Sequence, residues 1–144
     1  MTAQQHAQRV ADFFERFGPP DLPGLGDWYH DDAAFKDPFN DVRGLEAIRQ
    51  VYAHMFQTLK DPRFTVWRCT AAERECWLAW RFSFGTDSGT TVVEGASHLQ
   101  FAPDGRIANH RDYWDPAEEL YEKVPVLGWV MRTIRRRLGA PQKA

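Results

Sequence analysis

The stretch His30-Asp31-Asp32-Ala33-Ala34-Phe35-Lys36-Asp37-Pro38-Phe39 is the segment that decides the fold of this chain. Alternation places Ala33, Phe35 and Asp37 on one face of a short strand, so that an acidic residue shares an apolar face. Pro38 has no N–H to donate to a neighbouring strand, so it marks the end of the strand or an edge of the sheet. The sequence therefore predicts a carboxylate at the rim of an apolar surface.

Two interpretations of Asp37 follow from this position. In the first, its carboxylate accepts nearby backbone N–H groups in an Asp-Pro turn, which is a common arrangement at such steps. In the second, the carboxylate lies at the mouth of an apolar pocket, where desolvation would raise its pKa and make it a candidate base.

A second acidic residue lies near the other end of the predicted sheet. Alternation along 106–114 places His110, Asp112 and Trp114 on one face. Asp112 is therefore a second candidate for proton transfer, and His110 on the same face could tune or replace either acid. The alternative for Asp112 is a salt bridge or a strand-end cap beside Arg111.

These segments carry a family resemblance. Residues 31–39, followed by Gly44-Leu45-Glu46-Ala47-Ile48 and Tyr52, resemble the core segment of the nuclear transport factor 2-like superfamily, which includes ketosteroid isomerases, SnoaL-type polyketide cyclases and limonene epoxide hydrolases. The runs 105–107 and 111–115 provide a second match near the other end. The resemblance implies an α+β fold in which N-terminal helices pack in the concave face of a curved, mainly antiparallel sheet, forming a cone-shaped barrel.

The resemblance also assigns expected roles. By similarity to the isomerases, Asp37 falls on the general base, and by similarity to the epoxide hydrolases, Asp112 falls on a pocket-facing catalytic aspartate. Two carboxylates entering one apolar cavity would push their pKa values apart, leaving one as base and one as acid. The oxyanion-hole tyrosine of the isomerases corresponds to Phe13 here, and their protonated acid corresponds to Ser97. Neither position therefore matches the isomerase donors.

Helical periodicity predicts helices over 3–17 and 45–59, and a shorter one over 21–29, while period-two patterns from residue 63 onward predict an antiparallel meander. Along 75–84 the even positions are apolar and are expected to point inward. Together with the resemblance, these patterns predict a substrate pocket lined by Phe13, Phe17, Trp28, Phe35, Tyr52, Phe56, Trp80, Phe82, Ser97 and Trp114.

Composition limits the classes of function. The chain has 144 residues, 43% of them hydrophobic, and a formal net charge of −2, which fits one core-forming domain and gives no basic field for nucleic acid. No segment resembles a signal peptide or a membrane span, so a cytoplasmic location is expected. The scattered histidines and two cysteines do not form a zinc pattern, and no cofactor or metal is expected. A four-residue turn over 71–74 would place Cys69 opposite Cys76, both expected to be reduced.

The C-terminal segment extends beyond this fold. We expect residues 1–116 to form the SnoaL-like domain and 117–144 to form a helical extension packed on it. A helix over 126–138 is predicted to be amphipathic, with an apolar stripe and a cluster of arginines on the opposite side. It either plugs the open end of the cone or makes peripheral contact with an anionic membrane surface.

Three functions remain open at this level. The first is a cofactor-independent isomerase, cyclase or hydratase that acts on an apolar small molecule through Asp37, Asp112 and His110. The second is a non-catalytic binding module for an apolar or acyl-chain ligand. The third is an interaction subunit whose cavity is filled by its own side chains.

The outer face of the sheet, with Trp77, Ala79 and Tyr113, predicts a homodimer burying on the order of 1,600 Å².

Overall fold

The computed structural model describes residues 1–86, 89–119 and 125–139. Its first unit, Met1–Trp114, contains helices α1 (Ala3–Arg16) and α2 (Leu45–Thr58), a 3₁₀ helix (Pro19–Asp27), and six strands. The strands are β1 (Tyr29–Lys36), β2 (Asp41–Arg43), β3 (Lys60–Ala72), β4 (Glu75–Thr86), β5 (Gly89–Phe101) and β6 (Ile107–Tyr113). The second unit, Asp115–Ala144, contains the helices α3 (Pro116–Glu119) and α4 (Pro125–Leu138).

The six strands form one curved sheet in the order β2-β1-β6-β5-β4-β3. All neighbouring strands are antiparallel except β1 and β6, which are parallel. The predicted α+β fold with a curved, mainly antiparallel sheet is confirmed, and the sheet is open rather than closed into a barrel. The meander prediction is correct for β3 to β6. Strand β1 comes before the edge strand β2 in the chain and lies between β2 and β6 in the sheet.

The two long helices have clear local causes. Thr2 caps α1 by accepting a hydrogen bond from the Gln5 backbone at 3.1 Å, while the Gln5 side chain accepts one from Thr2 at 2.9 Å. Gly44 precedes α2 with a φ of +102°, a conformation that favours glycine, and its N–H donates to the Ala33 carbonyl at 2.8 Å. This bond ties the start of α2 to β1. Helix α1 packs on β3 and β4, and α2 packs against β1 and the 3₁₀ helix.

The segment after α1 differs from the predicted helix over 21–29. A 3₁₀ helix begins at Pro19, because proline lacks an N–H and is tolerated in a first turn. Trp28 ends it, and Tyr29 already belongs to β1. Tyr29 therefore points into the core from a strand rather than from a helix.

The hairpin between β3 and β4 also differs from the prediction. Its turn contains two residues, Glu73 and Arg74, so that Ala71 lies opposite Cys76 and Cys69 lies opposite Leu78. The predicted cross-strand pairing of the two cysteines is wrong because the turn is shorter by two residues. Both cysteines are free thiols.

The inward face of the sheet forms the core together with α1 and α2. In β4 the even positions Leu78, Trp80 and Phe84 are buried, as predicted. The odd position Trp77 is 44% exposed on the outer face. In the described part of the chain, no helix is long and apolar enough to cross a membrane.

Candidate functional site

A chain of hydrogen bonds between buried side chains crosses the core. Alternation on β6 points His110 and Asp112 inward, and the register of β5 places Leu99 opposite His110 and Ser97 opposite Asp112. His110 is 3% exposed, and the Asp112 side chain is 14% exposed. An acid and an imidazole thus lie two residues apart on the core face of one strand.

The Asp112 carboxylate is the end point of this chain. Its Oδ1 accepts a hydrogen bond from Ser97 Oγ at 2.5 Å and one from His110 Nε2 at 2.6 Å. Trp80 Nε1–H donates to Ser97 Oγ at 2.8 Å, which directs the serine hydroxyl proton toward the carboxylate. Three side chains from three strands therefore fix the orientation of Asp112.

The other side of His110 meets two tyrosines. His110 Nδ1 lies 2.7 Å from the Tyr29 hydroxyl, which lies 2.7 Å from the Tyr52 hydroxyl. Burial raises the pKa of both tyrosines well above the usual value, and the negative charge of Asp112 raises both further. They remain phenols. The Asp112 carboxylate only accepts, so His110 donates to it through Nε2–H, and the Nδ1 of a neutral imidazole then accepts from the Tyr29 hydroxyl.

Close backbone approach makes room for the Trp80 indole. A Cβ on Gly95, which lies opposite Trp80 on β5, would be 2.5 Å from the indole ring. Only glycine leaves space for the ring at this point, and the indole N–H can then reach Ser97. Gly95 was not among the sequence-predicted site residues, although a glycine inside a strand pattern is typical of close approach.

Two cavities meet at Asp112. The inner one has a volume of about 20 Å³ and is lined by Phe14, Tyr52, Phe64, Val66, Leu78, Trp80, Ser97, His110 and Asp112. The outer one is an open cleft of about 360 Å³ at the ends of the parallel strands, lined by Lys36, Asp37, Pro38, Arg111, Asp112, Tyr113 and Trp114. The inner cavity has room for about one water molecule, whereas the outer cleft has the size of a small-molecule site.

Asp37 and Asp112 both line the outer cleft, but their carboxylates have different surroundings. Asp37 Oδ1 accepts hydrogen bonds from the backbone N–H groups of Phe39 and Asn40 at 2.8 and 2.6 Å. The Asn40 side-chain amide also donates to both oxygens of Asp37 at 3.1 Å. This is the Asp-Pro turn of the first interpretation. Asp112, in contrast, is bonded only on Oδ1 within the described ranges.

The predicted pocket residues divide into three groups. Tyr52, Trp80 and Ser97 line the inner cavity, and Trp114 lines the outer cleft. Three aromatic residues, Phe17, Phe35 and Phe82, pack against residues that line the inner cavity, and Phe56 packs against Phe17. The third group, Phe13 and Trp28, is stacked at 4.2 Å with Arg9 over the indole, and lines neither cavity.

Tyr29 is the main site residue that the sequence analysis missed. It is fully buried and connects His110 to Tyr52. The register shift between Tyr29 and Ala34 interrupts the simple alternation of β1, so the strand pattern did not extend back to this residue.

The described side chains do not form a metal site. Within residues 1–86, 89–119 and 125–139, no group of three or more His, Cys, Asp or Glu residues could hold a metal ion. No buried side-chain nitrogen or oxygen in these ranges lacks a hydrogen-bond partner. The described network consists of an acid, an imidazole, an indole and three hydroxyl groups.

A curved, open six-stranded sheet with helices packed on it defines a class of small α+β proteins. A family model described as a SnoaL-like domain matches residues 10–110, and the chain belongs to that family. The predicted superfamily is thereby confirmed. No curated protein matches the chain at a significant level.

Several solved structures share the fold. A hypothetical protein from Catenulispora acidiphila DSM 44928 with a ketosteroid isomerase-like fold, solved in complex with trimethylamine, has a TM-score of 0.69 at 16% identity, over 83% of this chain and 92% of that chain. An NTF2-like protein of unknown function from Burkholderia pseudomallei K96243 has a TM-score of 0.68 at 16% identity, covering 82% and 95%. An NTF2-like protein of unknown function from Exiguobacterium sp. 255-15 has a TM-score of 0.64 at 16% identity, covering 76% and 98%.

Proposed function

We propose that this protein is a cofactor-independent enzyme, an isomerase, cyclase or hydratase, in which Asp112 transfers a proton to and from a small substrate bound in the outer cleft. One observation carries the proposal: Asp112 lies at the boundary of the cleft with its Oδ1 held by Ser97 and His110. A carboxylate oriented in this way presents Oδ2 to a ligand. A positioned general base contributes about 10²- to 10⁴-fold to a reaction rate.

The proposed step is a reversible proton transfer. The substrate C–H bond breaks as an O–H bond forms on Asp112, and the electron pair moves into an adjacent carbonyl. Asp112 then returns the proton to another position of the same molecule, so no external acid or oxidant is needed. The His110 imidazole and the Ser97 hydroxyl hold the carboxylate in place, and Tyr29 keeps His110 in the tautomer that donates to it.

Asp37 is not the base in this proposal. Two backbone N–H groups and the Asn40 amide already bond its carboxylate. Its role is to close the turn that ends β1 and forms one wall of the cleft. Asp37 and Asp112 therefore provide a matched pair of variants for the test.

The test is exchange of substrate hydrogen with solvent. Purified protein in D₂O is incubated with a panel of aryl ketones and β-keto compounds, and loss of the α-proton is followed by proton NMR. We expect the Asp112→Asn variant to lose about 10²-fold or more of the exchange rate, and Asp37→Asn to retain most of it. Equal exchange by wild-type protein and Asp112→Asn would contradict the proposal.

A binding module is the second candidate. It is favoured by the outer cleft, which at about 360 Å³ has the size of a small-molecule site and can bind a ligand without proton transfer. The relative from Catenulispora acidiphila, solved in complex with trimethylamine, indicates that this fold also holds small ligands. Under this alternative, panel compounds bind in the cleft without exchange, and Asp112→Asn changes affinity alone.

We also propose that α4 makes peripheral contact with anionic membranes. Val130, Ile134 and Leu138 are exposed at helical spacing, and the last turn contains Arg136 and Arg137. A basic amphipathic helix binds anionic headgroups with about 1 kcal/mol per nearby cation. We expect phosphatidylserine vesicles to co-sediment the full chain at low salt, and less of a chain that ends at Val124. Equal sedimentation of both would contradict this contact and favour the alternative of a helix that plugs the cone.

A further inference from the structure

Two cationic side chains lie beside each other at the end of the parallel strand pair. Lys36 is the last residue of β1 and pairs in register with Arg111 of β6. Neighbouring strands lie about 4.8 Å apart, and like charges in facing positions of a sheet are destabilising. Both residues line the outer cleft. Asp37 and Asp112 line the same cleft, so its positive charge is confined to the side that Lys36 and Arg111 form.

In the part of the chain that the structure describes, no acidic side chain forms an ion pair with either member of this pair. Among the described residues, no carboxylate lies within 4.0 Å of the charged group of Lys36 or Arg111. Asp41 is the cross-strand neighbour of Lys36 on β2, but no ion pair joins them. The Arg111 guanidinium lies 4.8 Å from the centre of the Tyr113 ring, which supports its position without removing its charge.

Neither acid of the cleft pairs with Lys36 or Arg111, and both already accept hydrogen bonds from other protein groups. The Asp37 carboxylate accepts hydrogen bonds from Phe39 and Asn40, and Asp112 accepts them from residues in the core. The two cations are thus available to a ligand, while the acids would repel a negative group placed directly against them. A ligand anion is favoured on the side of the cleft that Lys36 and Arg111 form.

An apolar wall completes the cleft. Trp114 follows β6 and lines the cleft, and its ring contacts that of Phe39 edge-to-face, with centroids 5.5 Å apart. Phe39 is 55% exposed. A volume of about 360 Å³ between the cations and this wall accommodates a ligand of one or two rings.

We propose that the outer cleft binds an organic anion, with Lys36 and Arg111 contacting its carboxylate or phosphate group and Trp114 contacting its apolar body. As a statement about substrate class, this inference rests on the proposed function, because the same cleft gives access to Asp112. As a statement about binding, it depends only on the positive charges of Lys36 and Arg111 and not on any catalytic role of Asp112. It changes the expected substrate from a purely apolar molecule to one with an acidic group at one end.

The test compares three probes with the same ring system: 2-naphthoate, 2-naphthyl phosphate and the neutral 2-naphthylmethanol. Binding is measured by calorimetry at low salt and again at high salt. We expect at least one anion to bind about fivefold or more tightly than the alcohol, the size expected for an ion pair near a protein surface, with the advantage falling as salt rises. Whichever anion binds more tightly identifies the acidic group.

Single variants locate the contact. Lys36→Gln and Arg111→Gln should each remove most of the anion's advantage and leave the affinity for the alcohol unchanged. Arg68→Gln is the matched control, because it removes one exposed positive charge from β3 at the opposite edge of the sheet. Asp112→Asn should bind the anions as tightly as wild-type protein or more tightly, since it removes a negative charge from the cleft wall. Circular dichroism verifies that each variant is folded.

The results separate this inference from the proposed function. Equal binding of anions and alcohol, or an anion advantage that survives both Lys36→Gln and Arg111→Gln, overturns the anion site. Anion binding that depends on these two residues, without hydrogen exchange on any carbonyl probe, retains the site and overturns the enzymatic proposal. Exchange on carbonyl probes together with equal binding of the anions and the alcohol retains the enzyme and overturns the site.

Discussion

The Tyr29→Phe substitution tests the buried hydrogen-bond chain through its effect on stability. The Tyr29 hydroxyl is in contact with both His110 Nδ1 and the Tyr52 hydroxyl, each at 2.7 Å. Its removal leaves two buried polar groups without their partner. An unsatisfied buried group costs about 1–3 kcal/mol, so the free energy of unfolding should fall by about 2–4 kcal/mol.

Tyr52→Phe provides the comparison. It removes the same atom from a buried tyrosine on α2, but Tyr29 can still donate to His110. Only the acceptor side of the Tyr29 hydroxyl loses a partner, and the loss should be about 1 kcal/mol. A larger loss of stability for Tyr29→Phe than for Tyr52→Phe therefore indicates that the Tyr29 hydroxyl lies between His110 and Tyr52 in the hydrogen-bond chain. A core that is merely sensitive to any substitution would give similar losses for both variants.

The assay is urea unfolding monitored by circular dichroism, with the slope of the transition compared between variants. We predict a lower midpoint for Tyr29→Phe than for Tyr52→Phe, with equal slopes. A Tyr29→Phe protein within about 0.5 kcal/mol of wild type would refute the chain, because that is the range of ordinary surface substitutions. A larger loss for Tyr52→Phe would refute the direction assigned to it.

Three further predictions concern other parts of the first unit. Gly95→Ala should displace the Trp80 indole and destabilise the fold by about 1–3 kcal/mol, seen as a changed near-ultraviolet dichroism spectrum; an unchanged spectrum would contradict it. Burial raises the pKa of the Cys76 thiol to about 12, so iodoacetamide at pH 8 should alkylate Cys69 first and Cys76 only in urea, by mass spectrometry. Light scattering should give a dimer for wild-type protein and a monomer for Trp77→Asp, and a wild-type monomer would reject the predicted interface.

The sequence allowed the long elements to be predicted because their periodicity is strong. The helices at 3–16 and 45–58 lie within one residue of the predicted bounds, and the inward face of β4 is the predicted one. In these elements, local pattern and tertiary packing favour the same structure. The segment 19–29 is different, because its prolines and glycines form a 3₁₀ helix with weak periodicity.

The hairpin register shows a second kind of limit. Glu73 occupies the turn with a φ of +48°, a conformation that is uncommon for glutamate. Turn residues such as asparagine or glycine would have indicated a two-residue turn, and none is present. The sequence therefore did not distinguish a four-residue turn from a two-residue turn. The difference shifts the strand register by two residues, and the residue opposite Cys69 is Leu78 instead of Cys76.

For the candidate site, the sequence predicted which side chains point inward but not which hydrogen bonds they form. Alternation indicated that His110 and Asp112 point inward, and the resemblance added Ser97. Which donor meets which acceptor depends on strand register and on the close approach of Trp80 to Gly95, which are properties of the folded chain. For the same reason, the turn around Asp37 could not be separated beforehand from a pocket acid.

The orientation of the His110 ring is the central claim of this account, since it fixes Asp112 as an acceptor held ready at the cleft. Nitrogen-15 NMR of histidine-labelled protein measures it without any substrate, with His110→Gln used to assign the resonances. We predict that the Nε2 of His110 carries the proton and donates to Asp112, that Nδ1 is an unprotonated acceptor, and that Tyr29→Phe shifts the Nδ1 resonance most. A His110 ring with the proton on Nδ1 and a bare Nε2 facing Asp112 would contradict the claim.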